Sequence, residues 1–362
     1  MNIAGRFGKT CNAFSWLRYV TAMSSNYLLL ITIFTASLLT GCQPEAASPA
    51  VSFYYWKSAF KLSPTEREWL EAHKVERLYV KYLDVDVENG QAVPKAPVRF
   101  ADSTYKNFEI VPCVFITNRT FQAAVNPEDL AERVWKYLQE INTAGHLSPT
   151  VYQLDCDWSP STQAAYFRFL DRFRQLAEGH TLTATIRLHQ LRYPEQTGVP
   201  PVDRGVLMYY NMGDVQNVEE PNSILNTQTA AHYLTTDMQY DLPLDYALPM
   251  FSWVLAYRLG ELHAIINQGT CQKLDTLAAA AAIGPNRYRM QQNAYFGNHY
   301  LNRGDQLRCE APTVADLETA IDQLKQIDNH CEHLLFYHLD ENLSNAFPKN
   351  LPQHLADRLA TP

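Results

Sequence analysis

Two aspartates separated by a single residue, Asp155 and Asp157, end an apolar run that begins at Thr150. In an extended strand, residues two apart point to the same face, so the two carboxylates would lie side by side. Their mutual repulsion raises the pKa of one of them. A pair of carboxyl groups in that state is suited to acid–base chemistry at a glycosidic bond. The alternative is that one aspartate forms an ion pair with Arg187, which lies at the end of the next apolar run.

Other polar and aromatic residues stand at the ends of the remaining apolar runs, and they are further candidates for a site. They are Lys57, Asp84, Asp86, Trp158, Arg187, His189, Tyr210, Asn211, Asp214, Trp253, Asp340 and Glu341. A single histidine at a strand end, such as His189, is more often a hydrogen-bonded structural residue than a base. No His, Asp and Glu residues have the spacing of a metal site, no G-x-S-x-G segment marks a serine hydrolase, and nothing indicates a bound cofactor.

Eight apolar runs of strand length indicate buried parallel strands, because they are rich in Val, Ile, Tyr and Phe. The runs span residues 51–56, 76–83, 108–116, 150–156, 181–188, 205–210, 246–254 and 333–339. Eight strands with helices between them predict an α/β fold of the (β/α)8 TIM-like barrel type. The alternative is a doubly wound open sheet, which the absence of a G-x-G-x-x-G turn disfavours. In a barrel, working side chains stand at the C-terminal ends of the strands, where the candidates lie.

Three segments between the runs carry the signals of helix N-termini. These signals are Asn126-Pro127, Ser159-Pro160, and Thr313 with Asp316. The longest gap between predicted strands, about residues 257–312, predicts an insertion between strands seven and eight. Within this insertion, Gly304-Asp305 is expected to form a hairpin turn.

The N-terminal segment, residues 1–41, contains three basic residues and no acidic one, and residues 27–39 are almost wholly apolar. This apolar stretch is short for a hydrocarbon core of about 30 Å. A signal peptide over residues 1–41 is therefore predicted. Its L-T-G-C ending resembles the lipobox of bacterial lipoproteins, which implies that Cys42 carries lipid and becomes the new N-terminus. The alternative is an uncleaved membrane anchor.

Beyond this segment, residues 42–50 would be a tether and residues 51–362 the barrel domain. The expected location is the bacterial cell envelope, with the membrane as a partner through the lipid. Gln43, rather than an aspartate, after the lipidated cysteine favours the outer membrane.

Charge and cysteine content narrow the classes of partner. The chain has 38 acidic and 30 basic residues, a net charge of −8, which disfavours binding to nucleic acid. No C-x-x-C pair is present, so a zinc site is disfavoured. In an oxidising compartment one disulfide is expected, between Cys309 and Cys331. Cys113 and Cys156 lie in apolar runs and are expected to be buried.

The segment Asp155-x-Asp157 resembles the middle of the D-x-x-D-x-D-x-E motif of chitinase-like glycoside hydrolases of family 18. Residues 208–211, Met-Tyr-Tyr-Asn, resemble the Met-x-Tyr-Asp segment of their sixth strand. Two positions differ, since Tyr152 replaces the first aspartate and Ser159 replaces the glutamate that serves as general acid. Serine cannot protonate a leaving group at neutral pH, so the family's mechanism cannot apply unchanged.

This resemblance implies a glycan as the ligand. It implies roles for the candidates, with Asp157 as the essential carboxylate and Asp155 as the residue that orients it. Tyr210 and Asn211 would hold the sugar, with Arg187 and His189 beside them. Aromatic rings suit the C–H faces of sugars, and Trp158 or Trp253 would stack, although Trp253 fits the core equally well. The missing proton donor would be Asp214, Asp340 or Glu341.

Residues 183–215 also resemble a group of uncharacterised lipoproteins of Bacteroidetes-type bacteria, a likeness that implies a location but no activity. Three functions therefore stay open. The first is hydrolysis of a glycan, the second is binding of a glycan without cleavage, and the third is a scaffold or assembly role. Ser159 favours the second over a family-18 mechanism, and the polar groups gathered at the strand ends disfavour the third.

Overall fold

The computed structural model describes residues 47–361 except 124, 237, 268 and 328, and it does not describe the side chains of 344 and 345. The predicted signal peptide over residues 1–41 and the predicted lipid acceptor Cys42 lie outside the described residues. Residues 48–362 group into one compact unit. Among the helices that are described, none has the length and hydrophobicity of a membrane span.

The described residues form 18 β-strands, numbered here in chain order. They are β1 (Ala50–Tyr55), β2 (Ala59–Phe60), β3 (Arg77–Glu88), β4 (Gln91–Lys95), β5 (Arg99–Phe100), β6 (Glu109–Ile116), β7 (Val151–Asp155), β8 (Thr181–Arg187), β9 (Arg204–Met208), β10 (Leu244–Pro249), β11 (Trp253–Arg258), β12 (Glu261–Ile266), β13 (Ala280–Gly284), β14 (Arg287–Met290), β15 (Ala294–Phe296), β16 (His299–Leu301), β17 (Gln306–Glu310) and β18 (His333–Tyr337).

Eight of these strands form a closed barrel in the order β1, β3, β6, β7, β8, β9, β10, β18. Every neighbouring pair is parallel, and β1 closes the ring because it pairs with both β3 and β18. The predicted (β/α)8 TIM-like barrel is therefore confirmed, and the alternative of an open sheet is wrong. In such a ring the C-terminal strand ends open on one side, which we call the mouth.

The helices lie mainly between the barrel strands. They are α1 (Pro64–Ala72), α2 (Asn118–Gln122), α3 (Pro127–Gly145), α4 (Gln163–Leu176), α5 (Leu188–Arg192), α6 (Pro194–Thr197), α7 (Thr227–Ala231), α8 (Cys271–Asp275), α9 (Val314–Leu324), α10 (Leu343–Ala346) and α11 (Leu351–Ala360), with a short 3₁₀ helix at Thr104–Asn107. The predicted caps of α3 and α9 are confirmed, because the side chains of Asn126 and Thr313 each accept a backbone N–H from the residue three positions on.

The predicted start of the second helix at Ser159 is wrong. The helix α4 begins at Gln163, and residues 159–162 form a turn in front of it. The hydroxyl of Thr162 accepts the backbone N–H of Ser159 at 2.9 Å, and the hydroxyl of Ser159 contacts neighbouring hydroxyls rather than capping a helix. Ser159-Pro160 therefore marks a turn.

Two apolar layers hold the barrel together. The larger layer consists of outward-facing strand residues, such as the neighbouring Phe53 and Phe336, together with the apolar faces of the helices. The smaller layer fills the inside of the ring with side chains such as Tyr54, Tyr79 and Met208. Because strand residues alternate between these layers, both faces of each strand are apolar, which explains the continuous apolar runs.

Residues 253–310 form the insertion, with its own antiparallel sheet in the order β12, β11, β17, β14, β13. The seventh apolar run, predicted as one strand over 246–254, is two strands, because β10 ends at Pro249 and Trp253 begins β11. A turn does lie at Gly304, as predicted. It joins β16 to β17, which belong to different sheets, so it is not a hairpin turn.

One disulfide links Cys271 to Cys309, with their Cα atoms 5.4 Å apart, and it fastens α8 to β17 inside the insertion. The predicted pairing of Cys309 with Cys331 is wrong. The 11-residue helix α9 stands between them in the chain, and at 1.5 Å per residue it spans about 16 Å. Cys331 keeps a free thiol, whereas Cys113 and Cys156 are buried as expected.

Candidate functional site

The first of the two paired aspartates, Asp155, closes β7 and lies inside the barrel below the mouth. Only 5% of the residue is exposed, and one carboxylate oxygen accepts a hydrogen bond from the hydroxyl of Thr185 at 2.7 Å. Burial, reinforced by the charge of Asp157, raises the pKa of Asp155 to about 6. The carboxyl group of Asp155 is therefore partly protonated near neutral pH.

The second aspartate, Asp157, is at the rim, where 48% of its side chain is exposed. Both of its oxygens accept hydrogen bonds from Arg187 at the end of β8, from Nε to one oxygen and from Nη2 to the other at 2.9 Å. This is the ion pair with Arg187 that the sequence offered as the alternative for one of the two aspartates. A bidentate pair of this kind fixes the carboxylate and offsets its charge.

Tyr210 follows β9 and faces the inside of the barrel. Its ring stacks on that of Tyr337, which ends β18, with 5.3 Å between centroids. Burial, and then Tyr337, raise the pKa of Tyr210 well above its usual value, so its hydroxyl stays protonated. The next residue, Asn211, is exposed, with a φ of 54° and its backbone N–H bonded to Ile224. Tyr210 thus faces the site, while Asn211 turns the chain out of the barrel.

Three hydrogen-bond donors near the mouth are buried without a protein partner. They are the hydroxyls of Tyr54 and Tyr210 and the Nη1 group of Arg187. The ring centroids of Tyr54 and Tyr210 lie 5.8 and 5.3 Å from that of Tyr337, so the two hydroxyls belong to one cluster, and the charge of Arg187 acts on the pKa of Tyr210. Unsatisfied buried donors cost stability, so their presence together marks a place where acceptor oxygens of a ligand would bind favourably.

The candidate list contained Asp84 but lacked Lys81, which forms an ion pair with Asp84 at 2.9 Å. A β-bulge in β3 shifts its register to β6 between Lys81 and Leu83. Because of this extra residue, Tyr82 and Leu83 both face the outer layer and Asp84 turns inward. The charge of Asp84 acts, after burial and after Asp155, to raise the pKa of Tyr337. The sequence identifies Asp84 as a strand-end residue. Side chains of a strand alternate between the two faces, however, and counting from the inward-facing Tyr79 would place Asp84 on the outer face.

The two tryptophans proposed as stacking platforms are both engaged elsewhere. Trp158 is only 1% exposed, and its indole N–H donates to the carbonyl of Thr197 at 2.8 Å. A ring so buried cannot stack on a sugar, so that role of Trp158 is wrong. The indole N–H of Trp253 donates to Glu310 at 2.7 Å, and its ring packs on Phe251 at 5.4 Å. Trp253 stays partly exposed at the edge of the insertion.

The remaining candidates are spread around the rim. His189 lies in α5 and is exposed. Partial burial and the charge of Arg187 lower the pKa of His189, while Asp157 acts in the opposite direction, so the ring is within electrostatic reach of the ion pair. The carboxylate of Asp340 accepts the backbone N–H of Asn342 at 2.8 Å.

Among the described residues, neither of the other two acidic candidates forms a hydrogen bond or ion pair with Asp157 or Arg187. Glu341 is exposed. Asp214 accepts the backbone N–H of Gln216. In the described part of the chain, no group of three or more His, Cys, Asp or Glu residues is arranged to hold a metal ion.

Ser159, at the position of the family-18 general acid, lies in a cluster of hydroxyl and amide groups. Its hydroxyl is 2.9 Å from that of Ser161 and 3.1 Å from that of Thr162, and it accepts the side-chain N–H of Asn118 at 3.4 Å. None of these neighbours is an acid. The position therefore provides no proton donor near neutral pH.

The sequence matches no known protein-family profile, and no curated protein matches it significantly. Several solved structures are similar in fold. The spore cortex-lytic enzyme SleL of Bacillus megaterium QM B1551 is 12% identical, with a TM-score of 0.51 over 87% of this chain and 75% of that one. SleL of Bacillus cereus is 13% identical, with a TM-score of 0.50 over 88% and 76%. A chitinase of Chromobacterium violaceum is 11% identical, with a TM-score of 0.48 over 87% and 100%.

These likenesses concern the fold. They agree with the barrel that the apolar runs predicted. They show the fold alone.

Proposed function

We propose that the mouth of the barrel binds an oligosaccharide and does not cleave it by the family-18 route. One observation carries the proposal: Arg187 holds both oxygens of Asp157 at the rim, while Ser159 replaces the general acid. A carboxylate fixed in this way can accept hydrogen bonds from sugar hydroxyls, and the serine at position 159 does not protonate a leaving group near neutral pH.

The groups around this pair have the chemistry that sugars require. The rings of Tyr210, Tyr337 and Phe251 form one aromatic cluster, with centroids 5.3 to 6.3 Å apart. Of these rings, Tyr337 and Phe251 are partly exposed and can pack on the C–H groups of a pyranose, while Tyr210 and Arg187 contribute unpaired donors beside them. A combination of ring faces and unpaired donors in one hollow supports binding of a neutral or acceptor-rich glycan.

Hydrolysis is the second candidate, and Asp155 is the observation that favours it. Its pKa of about 6 lies in the range of a general acid that works near neutral pH. Its low exposure stands against this role, since a proton donor must reach the glycosidic oxygen.

The test compares two aspartates that are each paired with an arginine. Asp157→Asn removes the charge at the mouth, and Asp322→Asn does the same at the Asp322–Arg358 pair between α9 and α11. Isothermal titration against a panel of oligosaccharides should show binding to the wild type and to Asp322→Asn, and about tenfold weaker binding to Asp157→Asn, as expected for the loss of a hydrogen bond to a charged group.

Product analysis of the same mixtures separates the two candidates. Intact oligosaccharide after prolonged incubation supports binding alone. Release of shorter products by the wild type, abolished in Asp155→Asn, would contradict the proposal and favour hydrolysis. Absence of binding to every member of the panel would contradict both.

We further propose that lipid on Cys42 holds the protein in the bacterial envelope. The basic, acid-free start, the apolar stretch over residues 27–39 and the L-T-G-C ending support this location. Mass spectrometry of the mature N-terminal peptide should find an acylated Cys42, and Cys42→Ser should prevent acylation and cleavage. An unmodified Cys42 within a longer, uncleaved N-terminus would contradict the proposal and favour the membrane anchor.

A further inference from the structure

Two exposed tyrosines stand side by side on the hairpin that β15 and β16 form within the insertion. Tyr295 pairs with Tyr300 directly across the two strands, and the two residues are 68% and 49% exposed. Their ring centroids are 5.1 Å apart, with 62° between the ring planes. Among the tyrosines that the structure describes, only one other, Tyr193, is exposed. The hairpin therefore carries an aromatic surface that the rest of the described chain keeps buried.

The fold does not require these two rings. Phe296 and Leu301 alternate with the tyrosines along the strands and are buried in the core of the insertion. The hairpin is thus anchored by its inner face, while Tyr295 and Tyr300 form its outer face. Within the described residues, neither tyrosine hydroxyl has a hydrogen-bond partner. A role in stability does not explain the pair, so the outer face is open to a partner.

Amide side chains flank the two tyrosines. Asn293 precedes β15 and Asn302 follows β16, each two residues from a tyrosine. Because residues two apart in an extended chain point to the same side, the amides continue the outer face beside the rings. The side-chain oxygen of Asn293 accepts the backbone N–H of Arg303 at 2.7 Å, which fixes this amide. Amides both donate and accept hydrogen bonds, as the hydroxyls of a sugar do.

The segment that carries the tyrosines has no acidic residue. Residues 285–304 contain three arginines, one histidine and no Asp or Glu, in a chain whose net charge is −8. One of these arginines, Arg303, is exposed next to Asn302. This segment consequently brings no negative charge that would repel a glycan, whether the glycan is neutral or acidic.

The size and composition of the outer face disfavour other occupants. A stable protein interface buries about 800 Å² on each partner and takes roughly 20–30 residues a side, far more than this hairpin offers. Two other exposed apolar residues of the insertion, Ile265 and Ile283, lie on strands at opposite edges of its main sheet, so they do not form one apolar patch. Membrane surfaces are bound through apolar side chains with clustered Lys or Arg, whereas the tyrosines here are flanked by amides.

We propose that the outer face of the β15–β16 hairpin is a second glycan-binding surface, which takes a polysaccharide chain. The rings of Tyr295 and Tyr300 would pack on the C–H faces of sugars, and Asn293 and Asn302 would bind their hydroxyls. Tyrosine suits this role because it supplies a large, rigid contact at a low cost in conformational entropy. The inference does not rest on the function proposed for the mouth, since the two places share no residue.

The test is affinity electrophoresis of the full-length protein in native gels that contain glycol chitin, xylan, β-glucan or polygalacturonate. At least one of these polysaccharides should retard the wild type. The double variant Tyr295→Ala, Tyr300→Ala loses both rings and should bind it about tenfold more weakly. The double variant Tyr295→Phe, Tyr300→Phe keeps the rings and should stay within about threefold of the wild type. Ile283→Ala, which removes an exposed apolar side chain elsewhere in the insertion, is the matched control and should be retarded like the wild type.

The outcomes separate this surface from the mouth. Equal retardation of the wild type and the double alanine variant would overturn the inference, as would an equal loss in Ile283→Ala or no retardation by any of the four polysaccharides. Retardation that depends on the two tyrosines, in a protein that binds no short oligosaccharide by titration, would support this surface and contradict the function proposed for the mouth.

Two further measurements address the other occupants of the outer face. Sedimentation velocity detects a dimer, and co-sedimentation with vesicles of phosphatidylethanolamine and phosphatidylglycerol detects binding to a membrane surface. Neither property should differ between the wild type and the double alanine variant. A dimer, or a fraction of vesicle binding, that disappears with the two tyrosines would assign the face to a second copy or to a membrane and overturn the inference.

Discussion

Two Arg–Asp pairs join neighbouring strands at opposite ends of the barrel, and they differ in how completely they are satisfied. At the N-terminal end, Arg204 bonds Asp245, which is only 1% exposed and also accepts the backbone N–H groups of Glu332 and His333. At the mouth, Asp157 is half exposed, and the Nη1 group of its partner Arg187 is buried without a protein acceptor.

The difference separates a structural pair from one that is open to a ligand. The groups around Asp245 use one another as partners, so the pair is complete within the protein. Near Asp157, the Nη1 group of Arg187 and the hydroxyl of Tyr210 are buried donors without a protein acceptor. Unsatisfied buried donors cost stability, so a role in stability alone does not explain them. This contrast is why we assign binding to the mouth.

The largest expected effect comes from breaking the pair at the N-terminal end. Asp245→Ala leaves two backbone N–H groups without their acceptor and removes the buried one of the two carboxylate partners of Arg204, and it should lower the free energy of unfolding by about 3–5 kcal/mol. Asp157→Ala, at a half-exposed site, should lower it by no more than about 1 kcal/mol. Urea unfolding of both variants measures the two losses. Equal losses would remove the distinction between the pairs.

A second effect concerns pH, because Asp155 lies directly below the mouth pair. Its pKa in the folded protein is about 6, above the value near 3.9 of an unfolded chain. The stability that its bound proton contributes is present in full below pH 4 and is lost as the pH rises through 6.

Asp155→Asn lacks this titration and can still accept the hydroxyl of Thr185. The variant should therefore gain up to about 3 kcal/mol relative to wild type between pH 4 and pH 7. Urea unfolding of the two proteins at both pH values measures the gain. A constant difference across this pH range would show that Asp155 is an ordinary, ionised carboxylate.

The smallest effect comes from single tyrosine hydroxyls. Tyr210→Phe removes a donor that has no protein partner, so the free energy of unfolding should stay the same or rise by about 1 kcal/mol. Tyr82→Phe is the matched control, because the hydroxyl of Tyr82 donates to Asn142 at 3.1 Å and its loss should cost about 1 kcal/mol. Thermal unfolding of the two variants measures both changes. Equal losses of stability would indicate that the hydroxyl of Tyr210 has a hydrogen-bond partner in solution.

The strands of the barrel could be predicted from the sequence, because parallel strands that are buried on both faces appear as continuous apolar runs. The run over 246–254 was wrongly predicted to be a single strand for the same reason, since apolar residues continue through the bend after Pro249 and into the insertion. Cys309 was assigned to the wrong partner because a disulfide depends on the distance between chain segments, and the packing of α8 on β17 leaves no local signal.

The candidate site was predictable only in part. Asp155, Asp157 and Tyr210 meet at one end of the barrel because parallel strands end together. The inward turn of Asp84 depends on a bulge that alternation does not reveal. Trp158 looked like a platform because it follows a strand, yet the loop after β7 folds its ring under α4, where it packs 5.4 Å from Tyr166.

The most direct measurement is a crystal structure of the protein with the oligosaccharide that binds most tightly in the panel. Our account predicts a sugar oxygen within hydrogen-bond distance of Nη1 of Arg187 and of the hydroxyl of Tyr210, with the Asp157–Arg187 pair intact. A glycan bound elsewhere on the protein, with both of these donors still unpaired, would contradict the assignment of binding to the mouth.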